Sequence, residues 1–479
     1  MSGSKTKPGG LKLNYRRTAL IGFAFFGILL LWQVYDSWCP TFLTDIFARR
    51  MYGISSAELK SGDPDKILNV QWLVGIIMAC DNLAALILLP IFGSLSDRTK
   101  TPIGKRMPYI LTGTLAAAIA FPFIPLFFHR NNVAGMVIMM AIVLIFMMMY
   151  RNPAVALMPD ITPKPLRAKA NGIINIMGYL GGAFATVLGI FLKLSDYINA
   201  ADAARKLWII EIPFLAASLL MLVSAMVLFA TIKENRLAEE LKEELEMGER
   251  LSATEDPVDD DAPMTRANKR MLLAILGAEF LWFMADNALS TYIGNYVIYY
   301  LNSASSATMI FTIVGGVASV AGFATAGSIA DRIGRKWTIS CGLAIIVVGM
   351  LLMCIAQPTG RETANGLYAF PPILLAAAVV RGFGMALVHN CSFPMVVELC
   401  TGKKIGRFTG YYYAASMSAQ TITPVLLGLV FRLTLAWRTL PIYTACLFLL
   451  SCVVFTLLVK NIKAKKVANT YGLEALDGD

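Results

Sequence analysis

Histidine is almost missing from this chain: two residues in 479, His129 and His389. Nor is there a nucleotide-binding glycine loop or a grouping of nucleophile, base and acid, so the sequence reads as a non-enzyme with no organic cofactor. Charge is scarce as well. Asp, Glu, Lys and Arg make up 15% of residues, against about 25% in soluble globular domains, while 57% are hydrophobic and the mean hydropathy is +0.63. A soluble fold is excluded. The eight cysteines, Cys39, Cys80, Cys341, Cys354, Cys391, Cys400, Cys446 and Cys452, sit in or beside apolar runs without ligand spacing. They read as small core residues, neither disulfides nor a metal site.

What the chain has in abundance is long apolar runs. Spanning a bilayer takes roughly 20 apolar residues, and about twelve runs qualify, near 18–47, 69–95, 108–128, 132–157, 170–193, 208–231, 271–300, 305–330, 337–356, 370–397, 408–431 and 437–460. The first is too long for a signal peptide and should remain as a membrane helix. The net charge of +11 comes from cations in short loops, where they set orientation and meet anionic lipid; nucleic acid is not an expected partner. Those cations crowd one side, which places both tails and the even-to-odd connections in the cytoplasm. The expected division is an N-tail 1–17, a six-helix bundle 18–231, a cytoplasmic linker 232–270, a second six-helix bundle 271–460 and a C-tail 461–479. In the linker, Leu237, Leu241, Leu245 and Leu251 recur at near-helical spacing, consistent with a surface helix, although a solvated acidic connector is the plainer reading.

Two hairpins carry the strongest motif. GSLSDRTKTPIGKRMP, with Gly93, Asp97, Arg98, Gly104, Lys105 and Arg106, returns in shorter form as GSIADRIGRKW, with Gly327, Asp331, Arg332, Gly334, Arg335 and Lys336. The glycines allow tight backbone turns, and the aspartates can accept bonds from a helix N-terminus or from neighbouring arginines. The repeat extends further: Trp32 and Asp36 in the first run answer to Trp282 and Asp286 in the seventh, and Asn152, Asp160 and Gly172 to Asn390, Glu398 and Gly410. An internal repeat of this kind implies two six-helix bundles facing one another across a central cavity, with cargo near the midplane.

In both hairpins the sequence resembles the major facilitator superfamily, whose loop signature matches Gly327, Asp331, Arg332, Gly334, Arg335 and Lys336. The longer first copy, with Pro90 ahead and Thr99, Thr101, Gly104, Lys105, Arg106 and Pro108 following, is similar to the glycoside–pentoside–hexuronide:cation symporters and the sucrose–proton symporters. The resemblance covers roughly 18–460 and implies alternating access and uptake of a glycoside or oligosaccharide with a coupling cation. It departs in one place. Melibiose-permease-like members carry paired aspartates on helix 2, whereas Asp81 is followed by Ala85 and Leu89, so H⁺ is expected ahead of Na⁺.

Ionisable groups at membrane depth cost a few kcal/mol each and usually face a cavity or a partner. Asp36, Asp81, Glu279 and Asp286 stand against Arg151 and Arg381, with His389 able to take either charge state. Glu279, Trp282 and Asp286 share one helical face, as do Arg381, Met385 and His389; both faces are expected to line the interior. The excess of acids over fixed cations is the physical case for coupling to a cation, with Asp286 first, then Asp36 and Asp81. Sugars want flat rings beside amides and carboxylates. Trp32, Gln33, Asp36, Asn82, Trp282, Asp286, Asn287, Arg381 and Asn390 are therefore the expected cargo contacts, and the two hairpins the gate. The overall expectation is a monomeric, multi-pass plasma-membrane symporter. A lysolipid carrier of the same fold and a non-transporting sensor are the alternatives.

Overall fold

The computed structural model describes residues 11–55, 58–59, 63–163, 166–192, 197, 207–254, 266–363, 366–397 and 405–460. Within them are twelve helices long and apolar enough to span a membrane: α1 Tyr15–Tyr52, α2 Asp65–Arg98, α3 Met107–His129, α4 Val133–Asp160, α5 Ala170–Phe191, α6 Leu207–Thr231, α7 Asn268–Tyr300, α8 Ser306–Ile333, α9 Arg335–Ile355, α10 Pro372–Val396, α11 Gly410–Thr434 and α12 Thr439–Leu458. Hydrocarbon cannot hydrogen-bond a backbone, so each run closes its own amides and carbonyls as a helix. Local sequence bends some of them. Pro122 marks a turn that divides α3, and α7 ends in a π-helical turn over Tyr296–Tyr300. Beyond the expected end near residue 47, α1 continues to Tyr52, because Arg49 reaches back one turn to Asp45 at 2.7 Å and lays its guanidinium over the Phe128 ring.

The helices form the two expected six-helix bundles, α1–α6 and α7–α12, each with its own apolar core. Large residues left outside those cores, such as Leu115, Ile119, Leu219, Leu351 and Leu449, are suited to lipid, which is as apolar as the side chains themselves. Numbering the ends by what they carry, the hairpins after α2 and α8 mark one end of the molecule. The opposite, far end is where the bundles meet. Ala48, Ile67 and Leu68 of the first bundle join the second core there, and Met309 of α8 joins the first.

Close backbone approach makes that junction. A side chain at Gly75 on α2 would strike the Pro424 carbonyl of α11, and one at Gly428 would strike the backbone of Gln71 and Trp72. Around this crossing a buried polar latch ties three helices. Thr41 donates to Asn295 Oδ1 at 3.0 Å, and Asn295 Nδ2 donates to Thr44 Oγ1 at 2.9 Å and Gln71 Oε1 at 3.0 Å. The Tyr292 hydroxyl reaches the carbonyls of Gln71 and Pro424 at 3.2 and 2.5 Å. At the hairpin end, by contrast, Gly172, Gly327 and Gly410 have no neighbour against them, and Tyr411 and Tyr413 are exposed. The bundles are closed at the far end and apart at the hairpin end.

The linker does form helices, Glu234–Glu240 and Lys242–Thr254. Leu241 is buried, and Leu237 and Leu245 pack on the first core. The Leu251 side chain, the linker from 255 to 265, Glu398, Cys400 and the C-tail from 461 lie outside the described residues.

Candidate functional site

Directly on the hairpin side of the latch lies a cavity of about 250 Å³. Helical spacing explains its walls. α1 contributes Leu29, Trp32 and Asp36; α2 contributes Met78, Asp81, Asn82 and Ala85; α4 contributes Met148 and Arg151. Each set repeats at three or four residues and so occupies one helical stripe. From the second bundle come Asn287, Ser290 and Thr291 of α7 and Gln420 of α11. All three ionisable side chains of the cavity, two carboxylates and one guanidinium, belong to the first bundle, and the facing wall is neutral amide and hydroxyl.

Bonds within each wall fix its orientation. Asn82 donates its side-chain amide to Asp81 at 2.8 Å, Ser290 donates to the Asp286 carbonyl at 2.9 Å, and Gln420 to the Ser416 carbonyl at 3.3 Å. Trp32 stands edge-on to Tyr35, with ring centres 5.6 Å apart. Among the fully buried polar atoms of the lining residues, the Trp32 Nε1 donor and the Asn287 Oδ1 acceptor have no partner.

Of the expected cargo and coupling residues, the cavity gathers Trp32, Asp36, Asp81, Asn82 and Asn287. The rest stand elsewhere. Trp282 is 0% exposed in the second core, its ring against Phe283 and edge-on to Phe455. Asp286 is ion-paired with Arg381 instead of lining the cavity. Gln33 donates to Ser37 of its own helix at 3.1 Å, and Asn390 is exposed. The reason is rotation: the stripe of α7 carrying Glu279 and Trp282 turns into its own bundle, and the stripe of Asn287, Ser290 and Thr291 faces the cavity. His389 likewise stands edge-on to Phe283 at 5.5 Å. Arg151, noted in the sequence only as a membrane-depth cation, is the site residue that was not placed. As the one cation at depth in the first half, opposite two acids of that half, it carried the signal.

The hairpins differ. In the first, Arg106 is a hub: its guanidinium bonds Asp97, reaches Asp160 at 2.8 Å and Ser96 at 2.5 Å, while Lys105 meets Asp160 at 3.1 Å. Arg98 is exposed at the end of α2, and Gly93 lies against Asn152, whose amide bonds the Leu89 carbonyl. Glu234 of the linker accepts from the backbone amides of Lys105, Arg106 and Met107 at 3.0–3.1 Å, satisfying the donors left free at the start of α3. Gly104 passes beneath that carboxylate with φ of +119°, a backbone region glycine favours. Asn235 adds bonds to the carbonyls of Thr101 and Pro102 at 2.9 and 3.0 Å.

In the second hairpin Gly327 has open space around it, Asp331 and Arg332 are exposed, and Gly334, with φ of +84°, separates α8 from α9. Arg335 and Lys336 open α9, Lys336 over the Trp337 ring at 5.0 Å. Asp97 therefore bonds within its own bundle and not across to the other. Among the described residues, seven cysteines are free and no group of side chains is arranged to hold a metal.

A family model described as MFS/sugar transport protein matches residues 20–440. No curated protein matches the chain significantly. Among solved structures, the chain is similar to the inward-open xylose transporter XylE from E. coli, at 16% identity and a TM-score of 0.62, over 94% of this chain and 96% of that one. It is also similar to a D-xylose–proton symporter, at 16% identity and a TM-score of 0.61, over 93% and 98%. The nucleoside transporter NupG aligns at 12% identity and a TM-score of 0.60, over 92% and 100%. At these identities the likeness shows the fold.

Proposed function

Because the chain belongs to the MFS/sugar transport protein family, we propose that it is a secondary active transporter that imports a sugar or glycoside together with a proton. One observation carries the reading: a wall with two carboxylates and one guanidinium faces a wall of neutral amides and hydroxyls across one cavity. Two acids beside a single cation leave a surplus negative charge, which must hold a proton or attract a cation once the cavity closes to water. The neutral wall suits hydroxyl groups, and Trp32 offers a flat face for sugar C–H groups.

In this reading Asp36 and Asp81 share the coupling proton, with Arg151 holding whichever carboxylate is ionised. Asp286 is a structural ion pair. Cargo crosses unchanged, so no organic cofactor is required. The cavity's about 250 Å³ lies just under the range of ~300–1,000 Å³ typical of drug-sized ligands, which favours one or two rings over an acyl chain. With the hairpin end in the cytoplasm of a plasma membrane, as the loop cations indicate, the open state faces inward. Rocking of the bundles about the site exposes it alternately.

Proteoliposome uptake of a glycoside panel, with proton and sodium gradients imposed separately, tests the proposal. Accumulation of one glycoside on the proton gradient is expected. Saturable lysophosphatidylcholine uptake with no response to any sugar would instead establish the amphiphile carrier.

A further inference from the structure

The second bundle holds an ionisable group that the proposed mechanism leaves unused. Glu279 of α7 is 0% exposed, and neither carboxyl oxygen has a hydrogen-bond partner. Ile275, Ala278, Trp282, Tyr412 and Phe455 belong to the apolar cluster of its bundle. Among the described residues, the elements packed against α7 bring it no ion-pair partner. From α11 comes Tyr412, its hydroxyl bonded to Ser392 at 3.0 Å. From α12 come Ser451, bonded to the Ala278 carbonyl at 2.9 Å, and Cys452, whose Sγ lies 3.8 Å from the Ser340 carbonyl. α1 meets α7 at the latch through Thr41 and Thr44, and the guanidinium of Arg381 is held by Asp286 two turns away.

An unpaired carboxylate cannot persist in such a place, so in this hairpin-open state the group is a carboxylic acid. A residue that stayed neutral throughout would leave two polar atoms orphaned in the core, where an apolar side chain of similar size would sit at lower cost. Access is one helix away. Tyr412 is buried beside Glu279's cluster, while its neighbours Tyr411 and Tyr413 are exposed where the bundles part.

We propose that Glu279 is a second proton-binding site, loaded from the far side, still loaded in the hairpin-open state described here, and emptied to hairpin-side water once per transport cycle before that end closes. The step is simple: the O–H bond of the acid breaks, the proton passes to water entering beside α11, and the carboxylate is solvated by that water until it is reprotonated from the far side. This rests on the proton-symport reading and adds a site to it in the other bundle.

Two measurements on the full-length protein test it. In proteoliposomes, Glu279→Gln retains the shape and neutrality of the loaded acid. It is expected to halve the protons moved per sugar and to reduce accumulation at a fixed gradient to about its square root, since accumulation scales with the gradient raised to the number of coupled protons. By infrared difference spectroscopy of the purified protein, the wild type is expected to show a carboxylic C=O band that changes on adding the transported sugar and is absent from Glu279→Gln. Unchanged stoichiometry, or a Glu279 band indifferent to both pH and sugar, would overturn the proposal. If wild-type uptake ignores the proton gradient, the symport reading falls by itself, and the response of the band to pH still decides whether Glu279 exchanges a proton.

Discussion

Asp36 on α1 and Asp286 on α7 occupy corresponding places in the two halves, each four residues after a tryptophan, yet their surroundings have nothing in common. Asp36 faces the cavity with Asp81 and Arg151. Asp286 is ion-paired with Arg381, both side chains half-buried. The tryptophans divide the same way, Trp32 on the cavity wall and Trp282 in the core. The difference teaches that a duplicated motif fixes the depth of a residue in the membrane but not the direction it faces. A rotation of one position about the helix axis, about 100° for 3.6 residues per turn, changes a ligand into a core residue. It also divides the labour: charge in the first bundle, neutral hydrogen bonding in the second.

Substituting the two arginines should separate those roles most strongly. Arg151→Leu leaves Asp36 and Asp81 facing each other without a cation and is expected to abolish proton-driven uptake while the protein still folds. Arg381→Leu instead leaves the half-buried Asp286 carboxylate without its partner, a loss of about 1–3 kcal/mol, visible as poorer expression and a lower melting temperature. Equal effects of both on transport per folded molecule would break the comparison.

The tryptophans sharpen it. Trp32→Ala should raise the half-saturation concentration by ~5- to 150-fold, the loss of about 1–3 kcal/mol, with little effect on stability. Trp282→Ala should cost about 3–5 kcal/mol of stability through the cavity it leaves and should not alter which sugars are selected. Thermal unfolding and uptake kinetics on both variants decide between these outcomes.

Asn295→Ala attacks the junction itself. It leaves the Thr41 hydroxyl and Gln71 Oε1 with unmet bonds that cost about 1–3 kcal/mol, a shift of ~5- to 150-fold toward the far-end-open state. A cysteine placed at Thr291 in a cysteine-free background should then react faster with a membrane-impermeant thiol reagent applied from the far side. The smallest effect belongs to the hairpins. Glu234→Ala removes a helix cap worth about 0.5–2 kcal/mol and should speed amide exchange at residues 105–107, whereas Asp331→Asn should stay within about 0.5 kcal/mol of wild type in this state.

Most of the architecture was legible because hydropathy and length decide whether a segment spans a bilayer, and neither depends on tertiary detail. The repeated hairpins likewise announced two bundles. The site was legible in part. Trp32, Asp36, Asp81, Asn82 and Asn287 reach the cavity as expected, but Trp282, Asp286, Arg381, Gln33 and Asn390 do not line it. Polarity at membrane depth signals that a residue needs a partner, and it cannot say whether that partner is cargo or another helix. The latch was missed for a related reason. Gln71 and Asn295 bond one another across 224 positions of sequence, and only the folded crossing of α2 and α11, with α7 packed on α11, brings them together. The clasp of Glu234 on the first hairpin is a second case: a residue in an acidic run read as solvated because its partners are backbone amides, which leave no mark in the sequence.

Whether coupling resides in the first bundle alone among the two corresponding aspartates is settled by comparing Asp36→Asn with Asp286→Asn, measuring sugar counterflow and pH-driven accumulation on the same proteoliposomes and correcting for folded protein. Asp36→Asn is expected to retain counterflow and to reduce accumulation at a fixed gradient to about its square root or less, since an amide cannot release a proton and only the Glu279 site remains, while Asp286→Asn retains both per folded molecule. Accumulation intact in Asp36→Asn and reduced in Asp286→Asn would contradict the assignment and give the aspartate's coupling role to Asp286.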